Sequence, residues 1–149
     1  PKLRGFTLIE LLVTISIIAL LAAIGLVVFS TALKQGRDSK RQSDLRAIQS
    51  AMEQYFADQF YYPASITFGS ALSQGGKTYL NVVPTDPTAS PYPQYTYQAL
   101  PASPTACDNL TATTKCTSYC LYAKFENSSL PAPTGCTYTG SYNFAVTPP

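Results

Sequence analysis

Gly5-Phe6-Thr7-Leu8-Ile9-Glu10 opens an apolar run that continues as Leu11-Leu12-Val13-Thr14-Ile15-Ser16-Ile17-Ile18-Ala19-Leu20-Leu21-Ala22-Ala23-Ile24-Gly25-Leu26-Val27-Val28-Phe29. Glu10 is the only charge in it. A bilayer core about 30 Å thick needs roughly 20 apolar residues in a helix, so this stretch is long enough to span one. It is too long for a secretory signal peptide, whose apolar region runs to about 7–15 residues before a small-residue cleavage site. Residues 6–33 are therefore read as a membrane-spanning helix, with any cut expected ahead of it.

Glu10 is the residue that needs an explanation. A carboxylate in hydrocarbon costs on the order of 2.5–3.5 kcal/mol even on the lenient insertion scales. Lys2 and Arg4 precede Gly5, and Phe6 follows it. Basic leader, Gly-Phe junction, acid and long apolar helix, all in register, resemble the processing site of type IV pilins and the related secretion pseudopilins. The resemblance implies that a prepilin peptidase cuts after Gly5 and methylates the new amino terminus at Phe6. It also implies that Glu10 awaits a positive partner in a helical assembly. Residues 1–5 are then a leader, set apart from fold reasoning.

The family usually has a helix-loosening Gly and a Pro at the positions occupied here by Ala19 and Val27. This chain has neither, but places Gly25 nearby. Gly costs a helix about 1 kcal/mol against about 3 for Pro, so the resemblance gives little ground for local melting.

Beyond the membrane segment, periodicity takes over. Leu45, Ile48, Met52, Tyr55, Phe56 and Phe60 recur at three- and four-residue steps, with Arg41, Asp44, Arg46, Gln49 and Glu53 filling the other face. This is an amphipathic helix over 34–62, and one helix from Phe6 to about Phe60, on the order of 80 Å long, is the economical reading. The alternative is a flexible linker at Gln35-Gly36. Pro63 ends the helix, because proline disfavours helical geometry in the residue before it. The segment from Asp44 to Pro63, and Tyr79-Leu80-Asn81-Val82-Val83-Pro84-Thr85-Asp86-Pro87, also resemble the major pseudopilin of type II secretion.

Residues 63–149 form one small β-rich head. Ala64 to Gln94 read as a loop with a helical turn around Ser70-Ala71-Leu72. Strands are expected at Tyr95–Leu100, Tyr119–Phe125 and Tyr142–Val146. In the middle one, Tyr119, Leu121, Ala123 and Phe125 share one face and Cys120, Tyr122 and Lys124 the other. The fold class is α+β, a long N-terminal helix on an antiparallel sheet of about three strands, as in type IV pilins.

Cys107, Cys116, Cys120 and Cys136 all lie in the head. An even count in a small exported domain reads as two disulfides. Three pairings are possible and the sequence does not choose, although Cys107 with Cys116 and Cys120 with Cys136 is preferred. Zinc is the rival, but no His exists and no tight cysteine pair repeats. The resemblance brings a calcium site in major secretion pseudopilins, yet the residues around Pro133-Thr134-Gly135-Cys136 hold no cluster of acids, so it is not carried over. No metal and no cofactor are expected.

Ten Lys and Arg against eight Asp and Glu give a net charge of +2 in 149 residues, no general case for nucleic-acid binding. Lys34, Arg37, Lys40, Arg41 and Arg46 cluster after the membrane segment. By the positive-inside rule they would hold the head in the cytoplasm. The cysteines and the processing motif point outward, and an incomplete leader is allowed for because the chain does not begin with Met. Without His the usual general base is missing, and no Gly-x-Ser-x-Gly elbow occurs, so an enzyme is not expected. Gly75-Gly76-Lys77-Thr78 is no phosphate loop, because position 71 is Ala. Asn109-Leu110-Thr111 and Asn127-Ser128-Ser129 match the glycosylation sequon.

The resemblance implies a structural subunit of a type IV pilus or a type II secretion-like pseudopilus. It would be stored in the inner membrane with its head exported, then polymerised with identical copies by the assembly machinery. The rival is a minor tip pilin that binds DNA or a surface, against which the neutral head argues for the DNA case.

Overall fold

The computed structural model describes residues 5–88, 93–101, 106–127, 131–138 and 140–149. Lys2 and Arg4 of the expected leader, and Ser128-Ser129 of the second sequon, lie outside them. The elements run α1 (Leu8–Gln59), β1 (Leu72–Gln74), β2 (Lys77–Leu80), β3 (Thr96–Leu100), β4 (Ser118–Ala123) and β5 (Phe144–Val146). The fold is α+β, with a helix that begins two residues later than Phe6 and stops at Gln59. Helical backbone continues through Gln35 and Gly36, and the chain divides after Gly36 into two compact units.

In the first unit every described residue up to Gln35 is exposed. Leu8, Ile9, Leu11, Ile15, Ile18, Leu20, Ile24 and Leu26 keep more than half of their surface accessible. By length and composition this is a segment that can cross a membrane.

In the second unit α1 buries Leu45, Ile48, Ala51, Met52 and Tyr55 against β4 and its surroundings. Phe60 is a correction to the expected stripe. Its backbone sits in the left-handed region at φ 63°, its N–H donates to the Phe56 carbonyl at 2.8 Å, and its ring is 79% exposed. A left-handed residue just past the last turn stops a helix, a position usually given to Gly. The helix therefore ends before Pro63 has any bearing on it.

The three-stranded sheet has the order β3-β4-β5, antiparallel throughout. Thr96 pairs with Tyr122 and Leu100 with Ser118; Leu121 pairs with Val146 and Ala123 with Phe144. Central β4 is buried on both faces. Tyr119, Leu121 and Ala123 join the helix residues in the main core, while Cys120 and Tyr122 form a second cluster with Cys136 and Ala145. An antiparallel sheet commonly leaves one face to water; here a disulfide-tethered segment covers it.

The expected loop from Ala64 to Gln94 contains a hairpin instead of a helical turn. β1 and β2 pair antiparallel, Gln74 opposite Lys77. Gly75 and Gly76 between them have φ of 59° and 81°, the left-handed pair that a two-residue hairpin of this type requires.

Arg41 and Asp44 correct the reading of the helix's polar face: both are buried, Arg41 completely. The Arg41 guanidinium donates to Asp38 Oδ1 (2.8 Å), Asp86 Oδ2 (2.7 Å), Glu126 Oε1 (3.0 Å) and Thr88 Oγ1 (2.5 Å). Arg37 donates to both oxygens of Glu126 at 2.5 and 2.6 Å. Asp38 in turn accepts the backbone N–H groups of Glu126 and Asn127. Asp44 accepts from Lys40 and from the Tyr95 hydroxyl. Two of the five basic residues that follow the membrane segment, Arg37 and Arg41, thus bind head carboxylates.

Hydrogen bonding from Arg37, aided by Arg41 and opposed by burial, holds the Glu126 carboxyl at about 2, below its ordinary 4.5. A depressed acid stabilises the fold fully above about pH 4.5 and loses that contribution as pH falls through about 2. Urea melts across this range should show wild-type stability falling, whereas Glu126→Gln should be less stable at neutral pH and respond less to acid. Arg41→Met, which strands buried carboxylates, should cost about 3–5 kcal/mol in the same melts.

Candidate functional site

Gly5 and Phe6 precede α1 and Glu10 lies in its first turn, where it is bound by a residue that the sequence reading passed over. Thr7 caps the helix. Its N–H and hydroxyl donate to Glu10 Oε2 at 2.8 and 2.6 Å, and its oxygen accepts the Glu10 N–H at 3.3 Å. This reciprocal pattern is a capping box, and Thr followed three residues later by Glu is its sequence signal. The first turn of a helix leaves its N–H groups without partners, and a carboxylate there also faces the positive end of the helix dipole. Part of the cost of Glu10 is offset within its own first turn.

Phe6 is 84% exposed, and Phe6, Ile9, Glu10, Val13 and Thr14 line one shallow groove along the helix. The carboxylate is thus embedded in an apolar surface without being covered by it.

In the second unit the cysteines form two bonds, Cys107–Cys116 and Cys120–Cys136, with Cα separations of 5.1 and 5.9 Å. The first closes a loop that docks beside the helix end through Asn109. The Asn109 amide donates to the Tyr62 carbonyl at 2.9 Å and its oxygen accepts the Cys116 N–H at 2.7 Å. Tyr62 N–H also donates to the Cys116 carbonyl at 2.8 Å. Asn109, the first residue of the sequon at 109–111, therefore has its side chain committed to the fold. The acids that converge in this unit, Asp38, Asp86 and Glu126, surround Arg41, and no metal-binding cluster occurs among the described residues.

Residues 2–30 match the prokaryotic N-terminal methylation motif. The chain is 36% identical over 62 residues to the type IV major pilin protein PilA of Myxococcus xanthus, a match covering 42% of this chain and 28% of that protein. It is 30% identical to the type II secretion system core protein G of Pseudomonas aeruginosa over 59% of this chain and 70% of the relative. The corresponding core protein G of Escherichia coli is 31% identical over 69% of this chain and 67% of its own length. The chain belongs to the type IV pilin and pseudopilin family. No solved structure matches it.

Within this pilin-family chain the matched methylation motif contains Gly5, Phe6, Thr7 and Glu10 together with the exposed apolar helix. The core protein G relatives extend the likeness beyond the motif, and the type IV pilin relative covers little more than a quarter of its own length.

Asn109→Ala should leave the Tyr62 carbonyl and the Cys116 N–H without their partner and put an alanine at φ 61°. The expected loss is about 1–3 kcal/mol in chemical melts. Peptide mapping of native protein should find Asn109 unmodified.

Proposed function

We propose that this chain is a structural subunit of a type IV pilus or a type II secretion-like pseudopilus. A prepilin peptidase cleaves after Gly5 and methylates the amine of Phe6. The subunit waits in the inner membrane with its disulfide-bonded head outside, and the assembly machinery then polymerises it with copies of itself. The observation that carries this reading is the continuous exposure of the apolar helix before Lys34. So much apolar surface requires lipid or other helices to cover it, since burying one large aliphatic side chain is worth about 1.5–3 kcal/mol.

In the bundle, Glu10 meets the amine of Phe6 on a neighbouring copy. The medium there has low dielectric, and an opposite charge counts for far more than in water. Thr7 already holds the carboxylate through Oε2, which leaves Oε1 for that amine. The pilin and core protein G relatives, together with the methylation motif, support this assignment.

The exported form should begin with N-methylated Phe6, as read by intact mass and N-terminal sequencing of membrane-extracted protein. Retention of Lys2 to Gly5 in cells with active peptidase would sink the assignment. Glu10→Gln and Glu10→Leu should both insert, be cleaved and fold, yet yield few filaments when either is the only copy. Leu removes the desolvation cost without restoring the charge, so wild-type fibre yield with Glu10→Leu would make Glu10 a bystander.

A further inference from the structure

Two surfaces of the second unit play no part in the function above. The first is the tip of the loop closed by Cys107–Cys116, which is pinned yet turned outward. The Asp108 and Asn109 N–H groups both donate to the Thr114 carbonyl, at 3.1 and 3.0 Å. The Thr111 N–H donates to Thr114 Oγ1 at 3.0 Å, and the Leu110 N–H to Asp108 Oδ1 at 2.9 Å. Leu110 nevertheless keeps 83% of its surface exposed, the largest share of any described large apolar side chain beyond the membrane-spanning segment. A loose tip could fold such a side chain away, whereas a pinned one keeps it in water until something outside covers it. Asp108 is exposed too and has no ion-pair partner among the described residues. Hydrogen bonds from the Thr114 hydroxyl and the Leu110 N–H hold its carboxyl below the ordinary range, so it stays charged.

The second surface is the outer face of α1 between Ser39 and Ser50. The opposite face carries Leu45 and Ile48 into the core. Outside, Ser39, Ser43, Ala47 and Ser50 are exposed and succeed one another at three- and four-residue steps, where a solvated helix face usually carries charged side chains. Their shortness lets another segment come close to the helix backbone. Arg46 flanks them, exposed and without an ion-pair partner among the described residues. Lys40, the other cation beside them, is held by Asp44.

The two surfaces are complementary: an outward leucine with a carboxylate beside it, and a shallow helix face with a guanidinium beside it. They do not meet within one chain. The loop docks beside the helix end through Asn109 and Tyr62, whereas Arg46 lies on the order of 20 Å before Gln59 at 1.5 Å per residue. A contact between them therefore needs two copies shifted along the helix axis. Each copy then gives its loop to one neighbour and receives the loop of another, a heterologous contact that, with such a shift, extends as a filament.

We propose that the Cys107–Cys116 loop of one copy docks on the outer face of α1 of another, with Leu110 over Ser43, Ala47 and Ser50 and Asp108 against Arg46. This rests on the filament reading and adds to it a contact made by the head, apart from the apolar helix.

The test uses fibres from cells that express the full chain as the only copy. With a photo-reactive aliphatic amino acid in place of Leu110, irradiated fibres should yield dimers joined from position 110 to residues 39–50 of another copy. Arg46→Glu and Asp108→Lys should each lower fibre yield about tenfold relative to the membrane pool, because like charges then meet across the contact. The double variant should recover to within about threefold of wild type. Arg46→Glu should leave the thermal midpoint unchanged, which separates a docking role from a folding one; the cross-link decides the matter if Asp108→Lys lowers the midpoint. Normal fibres whose cross-links run only to other segments or to a different protein would overturn this contact alone. So would wild-type yield with Arg46→Glu, or a folded double variant no better than the single ones. A wild-type chain that forms no fibres would overturn the filament reading itself, and the contact with it.

Discussion

An apolar helical surface exposed along its whole described length before Lys34 is the constraint on which the rest depends. Small domains are stable by only about 5–15 kcal/mol, while the exposed Leu, Ile, Val and Phe side chains before Lys34 would each gain about 1.5–3 kcal/mol from burial. The second unit has a core of its own, closed over Leu45, Ile48 and Met52. By length and composition the helix can cross a membrane, and lipid or other helices would satisfy its surface. Glu10 is compatible with either, since Thr7 satisfies part of its hydrogen bonding locally and leaves the carboxylate at the surface.

The head solves a different problem, that of holding a small sheet to a helix. Apolar packing does this over Leu45 to Tyr55, where β4 presents Tyr119, Leu121 and Ala123. At Arg37 to Asp44 the means is electrostatic. Arg41 gathers Asp86 and Glu126 from separate segments, and the low pKa of Glu126 reflects how well its charge is matched. A buried ion cluster is poor evidence of net stability, since desolvation opposes it, but it is strongly directional and leaves few alternative arrangements. The two disulfides add what the core lacks, one closing the loop beside the helix end and one covering the outer face of β4.

Much of this was legible in the sequence where the signal is local. The apolar run, the stripe from Leu45 to Tyr55 and the alternation in β4 each announce their own burial, and the strand positions differ from the expected ones by one or two residues at most ends. The hairpin was hidden because Ser73, Gln74, Lys77 and Thr78 are too polar to read as strand; Gly75-Gly76 was the available signal. Capping by Thr7 was visible as Thr-x-x-Glu but overshadowed by the processing motif. Burial of Arg41 could not be read, because its partners Asp86 and Glu126 lie 45 and 85 residues away. A charged residue on an amphipathic helix reads as solvated until the fold brings those carboxylates to it. Phe60 likewise fits the helical period, and only its backbone conformation shows that the helix has already stopped.

Side-chain-resolution cryo-microscopy of filaments from the native cells tests the central claim most directly. The account predicts that residues 8–29 of neighbouring copies pack on one another in the fibre core, with a Glu10 carboxylate beside the Phe6 amine of another subunit. A fibre in which that helix faces solvent, or from which it has been removed, would contradict it.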